Sequence, residues 1–219
     1  MKTTVRQVFI AGATGYMGSR VAAELARRGH QVSGLTRAGS ERKLPENCEV
    51  VVGDALNAAT FGEKIGNADT YVQLVGVAHP GPTKSRQFRE IDLKSCKESL
   101  KAAVANRVQH FVYVSVAHPA PVMKAYIEVR MQCEELIGQS GLNTTILRPW
   151  YVLGPGHYWP YLLKPGYWLG RQIPSLRESA TRLGLVTVKQ MVAALVASAE
   201  APAKGILIIE VPEIAKGAS

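Results

Sequence analysis

A glycine-rich heptapeptide, GATGYMG at positions 12–18, limits the folds open to this sequence. It follows the apolar run 5–11, which is typical of a strand buried on both faces, and it opens a helical pattern that ends at Gly29. Such a turn needs glycine for its tightness, for the close approach of backbone to a phosphate, and for helix–strand packing. The order strand, turn, helix predicts a dinucleotide-binding βα unit, in which Gly12, Gly15 and Gly18 hold a pyrophosphate at the helix N-terminus.

Strand-like and helix-like patterns alternate after this turn. Further strands are predicted at 31–36, 49–52, 70–75, 110–116, 144–147 and 205–211, and further helices at about 58–65, 84–107, 123–137 and 188–199. This alternation predicts an α/β fold with a parallel sheet and helices on both faces. Because crossovers between parallel strands are right-handed, we expect a doubly wound sheet of the Rossmann type.

The composition changes near position 150. Seven of the fifteen aromatic residues fall between Trp150 and Trp168, together with three prolines. A small cap packed by its own aromatic rings is one interpretation, and the wall of a substrate pocket is another; the two are compatible. We therefore predict a dinucleotide-binding core over 1–149 and a small aromatic-rich cap from 150, with the last helix and strand of 150–219 completing the same domain.

Charge and composition exclude some classes of protein and leave others open. With 47% hydrophobic and 20% charged residues, the sequence is that of a globular protein and not of a disordered or fibrous chain. The net charge of +9 suits phosphates, nucleic acid or an anionic membrane without choosing among them. Segment 84–107 carries seven basic and three acidic residues, but no aromatic interleaving, so a solvated helix face is favoured over a nucleic-acid face.

The sequence predicts neither a metal site nor a membrane span. Its three cysteines are far apart and its five histidines lack ligand spacing, so we expect no disulfide, no zinc and a reducing, cytoplasmic location. Apolar runs are too short to cross a bilayer, and the first one leads into the glycine turn and not into a cleavage site. His79 and His118 precede prolines in loops at the predicted ligand edge, where each could donate a proton to a substrate or serve only as a loop residue.

The end of the second predicted strand indicates the cofactor. NAD sites usually place an acid there for the ribose 2′-hydroxyl, whereas NADP sites place an arginine nearby. This chain has Arg37, followed by Arg42 and Lys43. A guanidinium can hold a 2′-phosphate by charge-assisted hydrogen bonds, so we predict NADP(H), with NAD(H) as the alternative. Asp54, just after the third strand, is a candidate for the adenine amino group or for a simple loop or helix cap.

Several motifs together resemble the atypical and extended short-chain dehydrogenase/reductases, and most nearly the NmrA-like NAD(P)H-binding proteins. They are the glycine turn, Gly53-Asp54, Val75-Gly76, Tyr113-Val114-Ser115, and Leu147-Arg148-Pro149 followed by Gly154-Pro155. The resemblance extends from the first strand to about Pro155. It implies the Rossmann fold, a nicotinamide dinucleotide, and cofactor contacts at the three glycines and at Thr14, Tyr16, Met17, Val75, Gly76 and Pro149.

The resemblance also implies a catalytic set, with two departures. Family enzymes use a serine to polarise a carbonyl and a tyrosine to move the proton; Ser115 and Tyr126 match their places. The lysine expected four residues later is Arg130 here, and Asp92 stands where extended members often carry asparagine. Residues four apart share a helix face, so Arg130 could support the ribose or a tyrosinate. The alternative is an ordinary exposed helix pair that only contacts the cofactor at its edge.

The sequence therefore predicts an NADP(H)-dependent oxidoreductase that passes hydride to a small carbonyl, quinone or flavin-like substrate. The family also includes flavin and biliverdin reductases that work without the tyrosine–lysine pair. A non-catalytic NADP(H)-sensing regulator or assembly factor is the contrasting hypothesis. A nucleotide-sugar epimerase or dehydratase is a weaker third hypothesis, since the short segment after 150 offers little room for a sugar-nucleotide pocket.

Overall fold

A seven-stranded sheet, parallel throughout, organises the molecule. The computed structural model describes residues 4–155 and 181–217. The strands of the large sheet are β1 (Gln7–Ala11), β2 (Gln31–Thr36), β3 (Glu49–Val52), β4 (Thr70–Gln73), β5 (His110–Val114), β6 (Asn143–Arg148) and β9 (Ile206–Glu210). A second, two-stranded parallel sheet pairs β7 (Tyr151–Leu153) with β8 (Leu185–Thr187).

Helices connect these strands. The α-helices are α1 (Gly18–Arg27), α2 (Ser85–Gln87), α3 (Lys94–Ala105), α4 (Lys124–Gln139), α5 (Val188–Glu200) and α6 (Val211–Lys216). A π-helical turn, Phe88–Leu93, joins α2 to α3, so that 85–105 forms one helical stretch. Short 3₁₀ segments lie at Glu41–Lys43, Ala58–Thr60, Gly62–Ile65 and Pro82–Lys84.

The strand order is β3-β2-β1-β4-β5-β6-β9, which confirms the predicted doubly wound α/β fold. The order reverses between β1 and β4, and ligands of such sheets bind beyond the carboxyl ends of the strands at this switch point. One apolar core packs α1, α5 and α6 on one face of the sheet; a second packs α3 and α4 on the other. Both faces are covered, as the continuous apolar strands require.

One local prediction differs from the structure. The short helix predicted over 58–65 is two 3₁₀ segments, because Phe61 between them takes a non-helical φ of −139° and Asn57 caps the first with its side chain. The pairing of β9 with β6 places the end of the chain in the main sheet. The predicted aromatic-rich cap falls largely on 156–180, outside the described residues, so that expectation stays a prediction. Within 4–155 and 181–217, no helix is long and apolar enough to cross a membrane.

Candidate functional site

The glycine turn closes the carboxyl end of β1 at the switch point. Gly12 has a φ of +85°, and a Cβ there would lie 2.8 Å from the carbonyl carbon of Leu74, which follows β4. The Gly15 N–H donates to the Gly12 carbonyl oxygen over 3.0 Å. A Cβ on Gly18, the first residue of α1, would lie 2.1 Å from that same oxygen. Glycine is therefore required at 12 for conformation and at 18 for packing.

Gly15 is open on its outer side, unlike the other two glycines of the turn. It is exposed, and the one atom within 4 Å of a Cβ built on it is the Gly12 oxygen, at 3.1 Å. The turn therefore leaves room at Gly15 for a group to approach the backbone closely, beside the N-terminus of α1. An anion such as a pyrophosphate fits this cradle chemically, because helix N-termini carry partial positive charge.

The other residues predicted to contact a cofactor lie around this edge. Thr14, Tyr16 and Met17 belong to the turn, and the Tyr16 hydroxyl packs so closely on Gly154 that a Cβ there would approach it to 2.3 Å. The Arg20 guanidinium lies 4.2 Å from the centroid of the Tyr16 ring. Val75 and Gly76 follow β4, and buried Pro149 follows β6. The fold thus gathers these predicted residues at the carboxyl edge of neighbouring strands.

Arg37 and Asp54 lie at the outer part of the same edge. Arg37 is exposed directly after β2, and its carbonyl accepts from Ser40 in a turn. Asp54 is exposed after β3, and its Oδ1 accepts from the Leu56 N–H over 2.9 Å. That bond is the local loop role anticipated for Asp54; contact with an adenine stays a prediction. Arg37 is exposed at the end of β2, and its contact with a 2′-phosphate stays a prediction.

An apolar cavity of about 600 Å³ opens at the carboxyl edge of the sheet, between the ends of β5 and β6 and the start of α4. Ser115 and Tyr126 both line it, so the structure brings the predicted serine and tyrosine to one space. The Ser115 side chain is buried, and its Oγ has no hydrogen-bond partner among the described residues. The remaining lining is mostly apolar: Val114, Val116, Val122, Met123, Pro149, Trp150, Tyr151 and Val152, with His79, Pro80 and Pro82 at one side.

Arg130 does not line this cavity but is buried in the protein, so the interpretation of Tyr126 and Arg130 as an exposed helix pair is wrong. It is 7% exposed and forms a short ion pair with Asp92, which is 1% exposed. Its Nη1 donates to the Tyr113 hydroxyl over 3.0 Å and to the Val114 carbonyl over 2.9 Å. Its guanidinium carbon lies 5.0 Å from the centroid of the Tyr126 ring. Of the two roles predicted for Arg130, ribose or tyrosinate support, the contact with Tyr126 is the one formed within the described chain.

Burial is the largest influence on the pKa values of Tyr126 and Asp92. It raises the pKa of the Tyr126 phenol; Arg130 acts against that rise and Asp92 adds to it. Burial also raises the pKa of the Asp92 carboxyl, with Arg130 as the main opposing influence. A guanidinium does not lose its proton in proteins, so Arg130 remains a cation. Tyr126 is therefore a neutral phenol at physiological pH.

The two loop histidines, His79 and His118, have different surroundings in the structure. His79 lines the cavity, as a loop residue with a φ of +50°. His118 lies 3.7 Å from Glu134, whose carboxylate also accepts from Arg148. The three cysteines are buried and free. Over the part of the chain that the structure describes, no group of three or more His, Cys, Asp or Glu side chains could hold a metal ion.

Two features of the site were not predicted from the sequence. The ion pair joins Asp92 to Arg130 across 38 residues, although each residue had been noted singly as a departure from the family pattern. Met123, the N-cap residue of α4, adopts a left-handed φ of +61° and lines the cavity. No local sequence signal marks a non-glycine residue in that conformation, because it is imposed by the packing around it.

A doubly wound sheet with a glycine turn at its switch point and a cavity at its carboxyl edge defines a dinucleotide-binding protein of the Rossmann type. The model of the NAD(P)H-binding family matches residues 12–157 of the chain. The chain therefore belongs to this NAD(P)H-binding family, which agrees with the resemblance that its motifs had indicated.

Known proteins resemble the chain at modest identity. Protein TIC 62, chloroplastic, from Pisum sativum is 28% identical over 170 residues, covering 65% of this chain and 32% of that protein. A 4-hydroxy-2-methyl-3-oxo-4-farnesyl-3,4-dihydroquinoline-1-oxide ketoreductase from Stigmatella aurantiaca is 22% identical, covering 68% and 51%. The matches span 32%, 26% and 50% of the lengths of three curated relatives.

Solved structures share the fold. The Bordetella bronchiseptica enzyme WbmH, determined in complex with NAD⁺, superposes with a TM-score of 0.70 over 94% of this chain and 75% of that chain, at 21% identity. At this identity the similarity concerns the fold alone.

Proposed function

We propose that the chain is an NADP(H)-dependent oxidoreductase that reduces an apolar substrate bearing a carbonyl, quinone or flavin-like group. The observation that carries this proposal is that Ser115 and Tyr126 both line one largely apolar cavity at the carboxyl edge of the sheet. Two protic groups in an otherwise apolar space can orient a polar oxygen while the body of the substrate is held by hydrophobic contact.

Residues at the carboxyl edge fit the dinucleotide. Gly15 leaves the space that a pyrophosphate needs, and Gly12 and Gly18 fix the turn that presents it. Arg37 would pair with the 2′-phosphate of NADP(H), and Asp54 would meet the adenine. Thr14, Tyr16, Met17, Val75, Gly76 and Pro149 would line the remainder of the cofactor site.

The bound dinucleotide would supply hydride, and the protein would supply orientation and the proton. The Ser115 hydroxyl has no other partner among the described residues, so it is free to donate a hydrogen bond to a substrate oxygen. The neutral Tyr126 phenol can give its proton to the same oxygen: its O–H bond breaks, a new O–H bond forms on the substrate, and water returns the proton to the phenolate. Arg130 would support Tyr126 from beneath its ring.

The lining of the cavity supports an apolar, ring-bearing substrate. Trp150 and Tyr151 contribute aromatic faces, and Met123 with Val116 and Val152 contribute aliphatic surface. No charged side chain other than His79, when protonated, lines the cavity among the described residues, so an anionic substrate group would find little compensation there. The similarity to a ketoreductase of a farnesylated quinoline oxide agrees with this substrate class.

A non-catalytic NADP(H)-sensing regulator or assembly factor is the second candidate. The observation in its favour is that Arg130, in the place of the family lysine, is occupied with Asp92, Tyr113 and Val114. A sensor needs the cofactor site and not the proton donor. The two candidates therefore share the glycine turn and differ at Tyr126.

Cofactor binding is tested first, by equilibrium titration with NADPH and NADH at moderate salt. We expect tighter binding of NADPH, and a loss of about tenfold or more for NADPH alone in Arg37→Ala. Lys101→Ala, which removes one exposed positive charge on α3, is the matched control and should bind as the wild type does. Equal binding of both dinucleotides would remove the assignment of Arg37; binding of neither would end the enzyme proposal.

Turnover then separates the two candidates. With NADPH and a panel of quinones, flavins and aromatic ketones, we expect reduction by the wild type and a fall in kcat of about 100-fold or more in Tyr126→Phe, at unchanged NADPH affinity. Ser115→Ala should also lower kcat. Absence of turnover with the whole panel, at normal cofactor affinity, would favour the sensor.

A further inference from the structure

The buried ion pair of Asp92 and Arg130 connects four separate elements of the site. Asp92 lies in the π-helical turn, and its Oδ2 accepts from the Val77 N–H over 3.0 Å in the loop after β4. Arg130 lies on α4, one turn beyond Tyr126, and donates to the Val114 carbonyl at the end of β5. Ser115 is the next residue. One ion pair thus links the loop carrying Gly76, the strand end carrying Ser115 and the helix carrying Tyr126.

The main chain at the cofactor edge is shaped around this pair. A Cβ on Gly76 would lie 2.7 Å from Arg130 Nη2 and 3.0 Å from Asp92 Oδ1. Glycine at 76 therefore allows the loop to pass directly over the two charges. Both side chains are nearly excluded from solvent, so each charge depends on the other and on its hydrogen bonds for compensation.

The charges around the Tyr126 ring nearly cancel. The titratable or charged groups that face it are Arg130 and Cys133 from α4, Asp92 from the π-helical turn and, across the cavity, His79. Phe88, from the same turn as Asp92, packs on the ring with centroids 4.9 Å apart. A lone cation beneath the ring would favour the phenolate, but here a carboxylate neutralises that cation at contact distance.

We propose that Asp92 and Arg130 act as one positioning unit, which sets the Tyr126 phenol and Ser115 relative to each other, and that Asp92 cancels the attraction of Arg130 for a negative charge on the Tyr126 oxygen. The charges of the two departures from the family pattern then compensate each other. The role of Tyr126 as proton donor rests on the proposed function; the pairing of the two charges next to its ring does not.

Four proteins, which give the pair two net charges, test the proposal without cofactor or substrate. The wild type and Asp92→Asn/Arg130→Gln have no net charge beneath the ring, whereas Asp92→Asn and Asp92→Asn/Arg130→Lys each have one positive charge. The chain has eight tyrosines, so the tyrosinate absorbance of each protein is measured against its own Tyr126→Phe counterpart. The difference between the two absorbances gives the titration of Tyr126 alone.

We expect the Tyr126 titration midpoint to fall by about one pH unit or more in the two positively charged variants. In the neutral double variant it should stay near that of the wild type. An unchanged midpoint in Asp92→Asn, or a neutral double variant that follows Asp92→Asn, would overturn the proposal. If Asp92→Asn alone does not fold, the lysine double variant still carries the comparison.

A second measurement distinguishes an ion pair that positions Tyr126 and Ser115 from one that only stabilises the fold. In the titrations with NADPH, Asp92→Asn/Arg130→Gln should lower kcat by a larger factor than it weakens NADPH binding, because the glycine turn is intact and the tyrosine and serine are no longer held together. A normal kcat in that variant would contradict the positioning role. Failure of the wild type to bind or reduce anything would end the proposed function and leave the tyrosine titration standing.

Discussion

At the scale of single residues, the three glycines of the turn have different physical tasks. Gly12 needs a positive φ that other residues rarely adopt, and Gly18 needs the absence of a side chain because the Gly12 oxygen occupies that space. Gly15 is less constrained: its φ is not positive, and the one atom near a Cβ built on it is the Gly12 oxygen, at 3.1 Å. Its outer side is exposed, so its lack of a side chain matters most for the approach of a ligand.

Alanine substitutions should separate these tasks. We expect Gly15→Ala to weaken NADPH binding by about tenfold or more, because its methyl group would occupy the approach of the phosphates, and to lower Tm less than substitution of the other two glycines. Gly12→Ala and Gly18→Ala should lower Tm strongly, since their methyl groups would lie under 3 Å from backbone atoms, whereas that of Gly15→Ala would lie 3.1 Å from the Gly12 oxygen. Calorimetry and NADPH titration of the same samples distinguish the two effects.

Gly138→Ala is the control for glycine removal itself. This glycine is exposed within α4, and its nearest neighbour would be Ile206 Cδ1, at 3.8 Å. The substitution should stabilise the protein by about 0.5–1 kcal/mol and leave binding unchanged. A Gly15→Ala protein that binds NADPH as well as Gly138→Ala does would contradict the pyrophosphate assignment.

At the scale of elements, the pairing of β5 with β6 buries a histidine. His110, the first residue of β5, is fully buried, and its Nε2 lies 2.9 Å from Thr145 Oγ1 on β6. Burial lowers the pKa of His110 to about 4, from an ordinary value of 6.5, and the positive charge of Arg6 adds to that effect. The folded protein therefore holds His110 neutral at a pH where the unfolded chain would protonate it.

This histidine should make folding stability depend on pH in a defined window. Its contribution is complete above pH 6.5 and is lost as the pH falls from 6.5 toward about 4, because the unfolded state binds the additional proton. We expect the loss to be about 2–3 kcal/mol. Urea unfolding at intervals from pH 7.5 to 4 measures it, and His110→Gln should flatten the profile over that window. Parallel profiles for the two proteins would refute the assignment.

At the scale of the whole molecule, the seven-stranded sheet carries a layer of helices on each face and the predicted site residues along the carboxyl ends of its strands. The glycine turn, Arg37, Ser115 and Pro149 are far apart in the sequence, yet all follow carboxyl ends of parallel strands. A dinucleotide bound along this edge would contact several strand ends at once. Its binding free energy would then add to the stability of the whole fold.

This linkage predicts a thermal shift. At an NADPH concentration about 100 times Kd, the folded state gains about 2.7 kcal/mol, which corresponds to a rise in Tm of about 5–10 °C for a chain of this length. NADH at the same concentration should give a smaller rise, and Gly15→Ala should show almost none with NADPH. A wild-type Tm that NADPH leaves unchanged would argue against a cofactor site in the folded protein.

The sequence by itself determined the fold class and the cofactor family. Alternating apolar strands and helices, with glycines at fixed spacing, are local signals: the bounds of β2 and β3 matched their predictions, and a family match covering 12–157 agrees with the motifs. The contacts of Arg130, in contrast, are visible only in the tertiary structure. Its partner Asp92 is 38 residues away and faces it because the π-helical turn packs on α4, and sequence spacing carries no information about a contact made between elements.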